Sequence, residues 1–509
     1  KFDRRGLFVD KNAKLGGNGT EKSPFNSLFP ALVSAKKNNL KIIYLINDEI
    51  DISVSSKIST DIIIQPYKKG ERAKIVFDTK NSLKKEEIWF DVTAGGFFEA
   101  RNLDLDIVNG RNLIKTERTK TKLYDISFNY KGEGEFLLLD SFKSKIGVSG
   151  CSLEAYKSKK VGFINAVKSE VILRAVKSNV ASNDVDMLNF DKSKKISIEG
   201  FYCDITCDNS VSFIKSDYSE MNLTNIIINL NGSYKRSSAF LTENSVVNIN
   251  ESDFIFKGDD PFEIKVMDDK NSKIIIENSL FKIDKSVGAI GFNQNGGTLL
   301  FAKSALDING CSDYAYSFRN DKSKLRIESS VVRNQFCESS LIFSLNNGVF
   351  EGINNSIFSN NVVGSAYGFW ITGKVAITTI NSFYYFSENI EKCGFIFVNN
   401  DDMNRLKPIW NSNAISERAV FITFSDNQNG DTYVADYKKT NYFCDFKDSF
   451  AFERNDFFIP AGNSPLLGGG IGEDETSIKI PKYDFFGNDR LFPGNRVDVG
   501  AAQITGYIK

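Results

Sequence analysis

Short apolar strands recur along this chain at a nearly constant interval. Between positions 136 and 420, successive strands begin 23 to 28 residues apart. A period in this range indicates a solenoid, in which each repeat buries its apolar side chains against its neighbours. The strands begin at Phe136, Val161, Met187, Val211, Ala239, Phe262, Ile290, Tyr316, Leu341, Gly368, Phe395 and Val420.

The third residue of these strands is most often aromatic. In a stacked backbone, equivalent positions lie above one another, so we expect an internal ladder with one ring per repeat. The aromatic members are Phe163, Phe213, Phe292, Phe318, Phe343, Trp370 and Phe397.

Two further strands complete each repeat. One is an alternating apolar pair such as Leu325 and Ile327, and the other follows a small polar pair such as Ser329-Ser330. Three short strands joined by polar turns predict one coil of an all-β, three-sided parallel β-helix, with neighbouring coils about 4.8 Å apart. A leucine-rich repeat would need a leucine consensus that the chain lacks, and a propeller blade would need about 40 residues.

Both ends depart from the repeat, as the terminal units of a solenoid do when they close the core. Residues 27–37 predict a short amphipathic helix that caps the first coil. We predict an N-terminal cap with the first coils over 1–87, β-helix repeats over 88–445, and an irregular C-terminal cap over 446–509. The polar residues 115–122 predict a protruding loop.

Composition favours a folded, β-rich chain without a nucleic-acid partner. Hydrophobic residues make up 41% of the chain and Phe occurs 43 times, which suits a pleated interior. Lys plus Arg and Asp plus Glu both number 64, so no net positive field attracts a polyanion. No apolar run approaches the roughly 20 residues of a membrane span. Because the sequence starts at Lys1 without a signal peptide, we expect an export or lipoprotein signal to have been removed.

The chain has no histidine, which removes the usual general base near neutral pH and the commonest transition-metal ligand. Its seven cysteines are an odd number, so a complete disulfide framework is excluded. Cys203 and Cys207 form a C-x3-C without a second pair at zinc-ligand spacing. We therefore expect the cysteines to be small buried hydrophobes.

Both ends also carry recognisable segments. Phe8-Val9-Asp10 and the glycine-rich residues 16–20 resemble the entry segment of bacterial right-handed parallel β-helix repeat proteins. Residues 463–470, 483–490 and 496–502 resemble the C-terminal motif called the choice-of-anchor Q domain. The resemblance implies a pectate-lyase-like β-helix in a secreted or surface-anchored bacterial protein, and it does not imply an activity.

Within the closing motif, Asp484, Arg490 and Asp498 are expected to hold the cap together through charge-assisted hydrogen bonds. Catalysis by these three residues is the alternative. The chain departs from the family pattern at Gln503, where Glu is usual, and at Val499, where Ile is usual.

One segment resembles a catalytic motif. Gly258-Asp259-Asp260 is similar to the Gly-Asp-Asp segment of polygalacturonase-type glycosidases, in which neighbouring carboxylates act as acid and base. Asp259 and Asp260 are therefore the candidate catalytic residues. That family also uses a Gly-His-Gly segment, which this chain lacks, and an acidic turn between coils explains the same residues.

A polysaccharide lyase would instead need a base and a cation that neutralises the uronate, and Ca²⁺ with Lys or Arg can supply that cation. Calcium is expected only under this alternative, and otherwise no cofactor is expected. Solvated surface charge explains the same carboxylates. The carboxylates that lie close in sequence are Asp253, Asp259, Asp260, Asp268 and Asp269.

Exposed aromatic rings are the candidate ligand-binding groups. Tyr384 and Tyr385 are neighbours on a predicted strand, where successive side chains point to opposite faces. At least one ring therefore faces outward, where it can stack on a sugar. Packing beneath a loop is the alternative.

Two functions are open at this point. The first is an extracellular or cell-surface β-helix that binds a glycan or another ligand, or scaffolds a surface assembly, without catalysis. The second is a polysaccharide lyase or glycosidase that acts on an acidic polysaccharide in a groove along the β-helix. The expected partner is a polysaccharide or a surface protein, and the oligomeric state is left open.

Overall fold

Parallel β-strands account for nearly all of the regular structure in the computed structural model. The chain divides into an N-terminal unit, residues 1–234, and a C-terminal unit, residues 235–509. The domain boundaries predicted at 87 and 445 fall on residues outside the described ranges and stay predictions. The structure describes residues 6–46, 49–78, 88–93, 95–108, 110–232, 236–258, 263–387, 390, 392–398, 409–416, 420–424, 441–444, 470–471, 479–490 and 497–500.

Strands of the N-terminal unit run parallel to partners that lie one coil further along the chain. The unit contains helix α1 (Leu28–Asn38) and the strands β1 (Gly6–Val9), β2 (Ile42–Leu45), β3 (Glu49–Ile52), β4 (Ser56–Ile58), β5 (Ile62–Pro66), β6 (Ala73–Phe77), β7 (Ile88–Val92), β8 (Phe97–Ile107), β9 (Asn112–Glu117), β10 (Lys120–Tyr130), β11 (Glu135–Phe142), β12 (Lys145–Ser149), β13 (Ser152–Val167), β14 (Glu170–Asp191), β15 (Ile196–Asp217) and β16 (Glu220–Asn231).

The C-terminal unit is built in the same way. Its strands are β17 (Arg236–Glu243), β18 (Val246–Asn250), β19 (Asp253–Lys257), β20 (Glu263–Lys270), β21 (Lys273–Glu277), β22 (Leu280–Asn295), β23 (Thr298–Ala302), β24 (Ala305–Glu328), β25 (Val331–Gln335), β26 (Ser339–Ile353), β27 (Ser356–Asn360), β28 (Ser365–Ile380), β29 (Phe383–Phe386), β30 (Lys392–Val398), β31 (Ile409–Asn411), β32 (Ala414–Ser416), β33 (Val420–Phe424) and β34 (Tyr442–Cys444).

Each coil has three faces, which we call A, B and C in chain order. In the N-terminal unit, one coil passes through face A at residues 145–149, face B at 152–155 and face C at 160–167. In the C-terminal unit, the same three faces of one coil are residues 273–277, 280–284 and 288–295. Each unit is therefore a three-sided parallel β-helix, and the predicted all-β, three-sided fold class is confirmed.

Phenylalanine rings stack inside the C-terminal unit, as the repeat predicted. Phe292, Phe318, Phe343 and Phe369 occupy one inward column of face C. Successive ring centroids are 5.3, 5.6 and 4.8 Å apart. Each buried ring contributes roughly 1.5–3 kcal/mol by leaving water, so this column is a main source of cohesion between coils.

The predicted ladder is wrong at Trp370 and Phe397. Backbone pairing places Phe369 opposite Phe343, so the next residue, Trp370, points outward. Phe397 pairs with Trp370 and points outward as well. Phe369 and Trp370 are adjacent, and only one of two successive strand residues can face the core.

A single left-handed residue turns the corner between faces A and B. The φ angles are 54° at Asn102, 51° at Asp125 and 54° at Asn225 in the N-terminal unit. In the C-terminal unit they are 55° at Asn354 and 51° at Asn381. Asn and Asp tolerate this conformation better than other non-glycine residues because their short polar side chains bond locally. The asparagines between the predicted strands therefore have a conformational role.

A ladder of polar side chains runs inside this corner in the C-terminal unit. The backbone N–H of Ser279 donates to Ser304 at 3.1 Å, and that of Ser304 donates to Ser330 at 3.2 Å. The ladder continues from Ser330 to Asn355 at 3.1 Å and from Asn355 to Ser382 at 3.2 Å. The recurring small polar pair is thereby explained: its second residue satisfies a buried N–H of the preceding coil.

The predicted N-terminal helix forms as α1. Its buried residues pack against β1, β2 and β4 of the first coils. Lys36 and Lys37 lie in the last turn, where their positive charges interact favourably with the negative end of the helix dipole. The buried residues are Leu28, Ala31, Leu32 and Ala35.

The loop predicted over 115–122 does not form. Strand β9 ends at Glu117 and β10 begins at Lys120, so the chain turns from face C to face A within two residues. Arg118 makes this turn with a φ of 52°. Thr116 and Thr121 are buried on either side of this turn. Because threonine is polar, the sequence did not show the alternation of apolar and polar residues that marks a strand.

The described part of the C-terminal segment comprises residues 470–471, 479–490 and 497–500, and it lies against the side of the C-terminal unit. Phe485 and Val499 pack on an apolar stripe along the outer surface of face B. These residues therefore cover the flank of the coils. The stripe consists of Ala305, Val331, Phe358, Phe383 and Ala414.

Candidate functional site

Partly exposed aromatic side chains form a patch on the outer surface of face C in the C-terminal unit. They come from β24, β28 and β30, which lie in successive positions with β26 between the first two. Each has at least one strand neighbour that is buried in the core, so the ring itself points outward. This aromatic patch consists of Tyr314, Tyr316, Tyr367, Trp370 and Phe397.

The rings of the patch contact one another in two groups. Tyr314 and Tyr316 have centroids 4.8 Å apart at an interplanar angle of 32°. Trp370 stacks on Phe397 with centroids 4.0 Å apart at 27°. Tyr367 meets Trp370 edge-on, with centroids 5.6 Å apart at 90°. Stacked and edge-on contacts fix the ring orientations.

Ser344 and Leu341 of β26 separate the two groups. Ser344 of β26 lies between Arg319 of β24 and Trp370 of β28. With strands about 4.8 Å apart, the rows on β24 and β28 are about 10 Å apart. Leu341, the other outward residue of β26 at this level, is 8% exposed and provides an apolar floor. We call the space over Ser344, between the two groups of rings, the cleft.

Charged groups border the cleft. Lys265 pairs with Glu263 at 3.4 Å and with Asp268 at 3.5 Å, which neutralises much of that edge. Tyr314 donates to Glu263, and its pKa is raised by burial and by this hydrogen bond. Arg319 is exposed, and no carboxylate of the described residues lies within ion-pairing distance of it. Arg319 therefore offers a cation beside the rings.

A groove of about 480 Å³ crosses the outer surface of face C in the N-terminal unit. Asp186 lies in it between Lys160 at 2.7 Å and Lys215 at 2.5 Å. Burial opposes ionisation of Asp186, but hydrogen bonds from the two lysines outweigh burial and lower its pKa. The carboxylate is thus ionised at neutral pH and has no proton to donate to a leaving group.

An amide ladder lines the same groove. Asn165 donates to Asp140 at 2.7 Å, and Asn189 donates to Asn165 at 2.8 Å. These groups repeat once per coil, so they present hydrogen-bonding atoms at a regular spacing along the groove. Such a surface suits an extended ligand with repeated hydroxyl groups.

Asp259 and Asp260, the candidate catalytic residues, lie outside the described residues. The described carboxylates near them do not converge. Asp253 is exposed on face B, and Asp268 points outward from face C. Asp269 is buried and accepts a hydrogen bond from a threonine hydroxyl. In the described part of the chain, no cluster of His, Cys, Asp or Glu is arranged to hold a metal ion.

Tyr384 is fully buried, so its assignment to ligand binding is wrong. It belongs to an inward column of face B, and its hydroxyl lies 2.6 Å from that of Thr379. Burial raises its pKa. Tyr385 points outward and is partly buried against the apolar stripe, with its ring centroid 6.3 Å from that of Phe358. The expectation that one of the two rings faces outward is met by Tyr385.

Arg490 is fully buried beneath the C-terminal segment. Its Nη2 donates to Ser329 at 3.3 Å and its Nε donates to the carbonyl oxygen of Tyr483 at 3.4 Å. Burial lowers the pKa of Arg490 to about 10, whereas the negative charges of Asp484 and Asp498 act to raise it. The guanidinium therefore stays charged at neutral pH. All three side chains are inaccessible to a ligand from solvent, as a structural role requires.

Cys151, Cys203, Cys207, Cys311 and Cys337 are buried free thiols, and Cys393 is a partly buried one. Burial raises the pKa of Cys151 to about 11 and that of Cys203 to about 12. Burial also raises the pKa of Cys207 to about 11. These thiols are protonated at neutral pH and are therefore poor nucleophiles and poor metal ligands.

No family model matches the chain, and no curated protein matches it. Among solved structures, tailspike protein 3 of bacteriophage CBA120 is 10% identical over 86% of this chain and 61% of that chain, with a TM-score of 0.30. A tailspike mutant of E. coli bacteriophage HK620, in complex with a pentasaccharide, is 9% identical over 82% of this chain and 78% of that chain, with a TM-score of 0.31. Pectate lyase Pel9A is 13% identical over 98% of this chain and 96% of that chain, with a TM-score of 0.20.

Sequence reasoning missed the aromatic patch. Trp370 and Phe397 were predicted inside the core, and Tyr316 served only to mark where a strand begins. One signal was present: Tyr314 and Tyr316 alternate with Ala315, so the two tyrosines share one face and the small residue takes the other.

The helices of the described residues lack the length and apolar character of a membrane span.

Proposed function

We propose that this protein binds a glycan on the aromatic patch without cleaving it. The observation that carries the proposal is the cleft over Ser344, with Tyr316 and Arg319 on one wall and Tyr367 and Trp370 on the other. A pyranose ring presents apolar C–H faces and polar edges. The rings would cover the faces while Arg319 and Ser344 meet the edges.

The charge distribution favours binding over hydrolysis. An inverting glycosidase needs one protonated and one ionised carboxyl group roughly 6.5–9.5 Å apart. In the groove of the N-terminal unit, Asp186 is held ionised by Lys160 and Lys215. Neighbouring amides and lysines there supply hydrogen bonds rather than acid–base catalysis.

We assign this binding to a secreted or surface protein of a bacterial envelope, in which the β-helix serves as a binding or scaffold subunit of a surface assembly. The similarity of residues 463–470, 483–490 and 496–502 to the choice-of-anchor Q motif supports this assignment. Recovery of the full-length protein in the envelope fraction of the source organism would support it, and recovery in the cytosol would contradict it. Co-purification of a specific protein partner would favour a scaffold role.

A glycan array followed by titration calorimetry tests the binding site. Trp370→Ala should weaken the best ligand about tenfold, because an aromatic contact is worth roughly 0.5–1.5 kcal/mol beyond its buried area. Ser344→Leu should weaken it similarly by filling the cleft. Tyr202→Ala removes a tyrosine that is 38% exposed on the N-terminal unit and is the matched control. Unchanged affinity in both cleft variants would rule the site out.

Turnover distinguishes the enzymatic alternative. The protein is incubated with a panel of uronide and neutral polysaccharides, with and without calcium, and new chain ends are measured. The proposal expects no cleavage. Cleavage that disappears in Asp259→Ala or Asp260→Ala would replace it with a lyase or glycosidase.

A further inference from the structure

We propose a second binding site, on face A of the N-terminal unit, for a saccharide that carries a sulfate or carboxylate group. The site is a hollow of about 300 Å³ centred on Gly147. Lys122, Gly147 and Ile172 occupy successive positions of one outward column. These residues are separate from the aromatic patch, so the site goes beyond the function proposed above.

Gly147 creates the hollow because it has no side chain between the larger Lys122 and Ile172. A Cβ atom at this position would meet only the Cγ of Lys122, at 3.8 Å, which is an ordinary contact. The space above the backbone is therefore open. Lys122 forms one wall and Ile172, which is 45% exposed, forms the other.

Two lysines at the hollow are uncompensated. Lys145 pairs with Glu170 at 3.1 Å, and Arg174 pairs with Glu199 at 3.6 Å. No carboxylate of the described residues lies within ion-pairing distance of Lys120 or Lys122, their neighbours in the preceding coil. A site with two such ammonium groups attracts an oxyanion.

Aromatic rings hold these ammonium groups beside the hollow. The Nζ of Lys122 lies 5.6 Å from the ring centroid of Tyr124 and 5.9 Å from that of Phe97. The Nζ of Lys120 lies 5.9 Å from the Phe97 centroid. A cation–π contact restrains a cation without cancelling its charge, so less ordering is needed when an anion binds.

The apolar wall indicates what carries the anion. A free inorganic anion would meet the lysines and leave Ile172 and the Tyr124 ring uncovered. A sugar ring that bears the anion can cover both while its charged group reaches Lys120 and Lys122. Glu170, which lines the hollow and pairs with Lys145, and Glu199 in the next coil interrupt the positive surface, so it does not extend into a stripe for a long polyanion.

Binding by the full chain is measured by titration calorimetry at low and physiological salt. The probes are chondroitin sulfate oligosaccharides, oligogalacturonates and neutral dextran oligosaccharides. Lys120→Gln with Lys122→Gln removes the charge and keeps the space, whereas Gly147→Ile fills the space and keeps the charge. Lys177→Gln with Lys194→Gln makes the same change in net charge at exposed lysines elsewhere in the unit and is the control.

The expected result is that an anionic probe binds, that dextran does not, and that both hollow variants weaken binding about tenfold or more. The lysine variant removes charge-assisted hydrogen bonds, and Gly147→Ile fills the space that the sugar ring needs. Binding of the sulfated probe alone assigns sulfate, and binding of oligogalacturonate alone assigns carboxylate. The site would be overturned if Gly147→Ile bound with wild-type affinity or if the control lysine variant lost as much affinity as the hollow variants. It would also be overturned if neither anionic probe bound. Trp370→Ala should leave this binding unchanged, which separates this site from the aromatic patch.

Discussion

The backbone N–H of Ser330 donates a hydrogen bond of 3.1 Å to the side-chain oxygen of Asn355 in the next coil. The Asn355 amide nitrogen in turn donates to the carbonyl oxygen of Ile327 at 2.9 Å. One buried side chain thus satisfies a donor and an acceptor that the strands leave unpaired. This relationship repeats along the inner corner and explains how a chain with many polar residues between strands still packs tightly.

Asn355→Ala should lower the free energy of unfolding by roughly 1–3 kcal/mol, because the N–H of Ser330 loses its partner in the core. Asn355→Ser should cost less, since serine fills the equivalent position in most rungs of the ladder. Urea denaturation monitored by circular dichroism measures both. Equal stability of the alanine variant and the wild type would show that the ladder is not stabilising.

Stability should fall in acid through Asp106 in the N-terminal unit. Burial opposes its ionisation, but hydrogen bonds from Lys131 at 2.8 Å, Asn129 at 3.0 Å and Lys74 bring its pKa to about 2, below the ordinary 3.8. A lowered carboxyl pKa stabilises the fold above the ordinary value, and this contribution is lost as the pH falls through the lowered one.

Asp106→Asn should therefore lower the free energy of unfolding by about 2 kcal/mol at neutral pH. The difference in unfolding free energy between this variant and the wild type should shrink below about pH 4 and vanish near pH 2. Asp208→Asn, at an exposed carboxylate of the same unit, is the control. Unfolding free energies measured across this pH range test the sign. A difference that grows in acid would be incompatible with the lysine contacts described here.

Arg490→Met should release the C-terminal segment from the flank of the C-terminal unit. Arg490→Met removes the positive charge from a buried group that also contains Asp484 and Asp498, and breaking such a group costs about 3–5 kcal/mol. Faster hydrogen exchange over residues 482–490 is the expected readout. The backbone N–H of Arg490 donates to the carbonyl oxygen of Lys482, so its exchange reports the opening of that turn. Lys482→Met, at an exposed neighbour, should leave the exchange unchanged. Wild-type protection in Arg490→Met would contradict a structural role for the three charges.

Tyr384→Phe should lower the free energy of unfolding by about 1 kcal/mol, because the Thr379 hydroxyl loses one hydrogen bond inside the core. Glycan affinity should not change, since the ring is fully buried. Tyr218→Phe, at a tyrosine that is 57% exposed, is the control for stability. A loss of glycan binding in Tyr384→Phe alone would restore the ligand-binding role that burial argues against.

Much of the fold could be predicted from the sequence because the signals are local. The spacing of apolar strands equals the length of one coil, and the Asn and Ser pairs mark the corners that join faces A and B. The cap helix was recognisable from its own amphipathic pattern. The candidate sites were not, since Tyr316 and Trp370, or Lys122 and Ile172, are distant in sequence and meet only when coils stack in register.

By itself, then, the sequence determined a three-sided parallel β-helix with aromatic residues in its core, because coil length and turn chemistry are properties of short segments. Only the tertiary structure decided which of Phe369 and Trp370 faces inward, that Tyr384 is buried, and that the C-terminal segment lies on the flank of its unit. The physical reason is register: shifting a strand by one residue exchanges its inner and outer faces, and backbone pairing between coils sets that register.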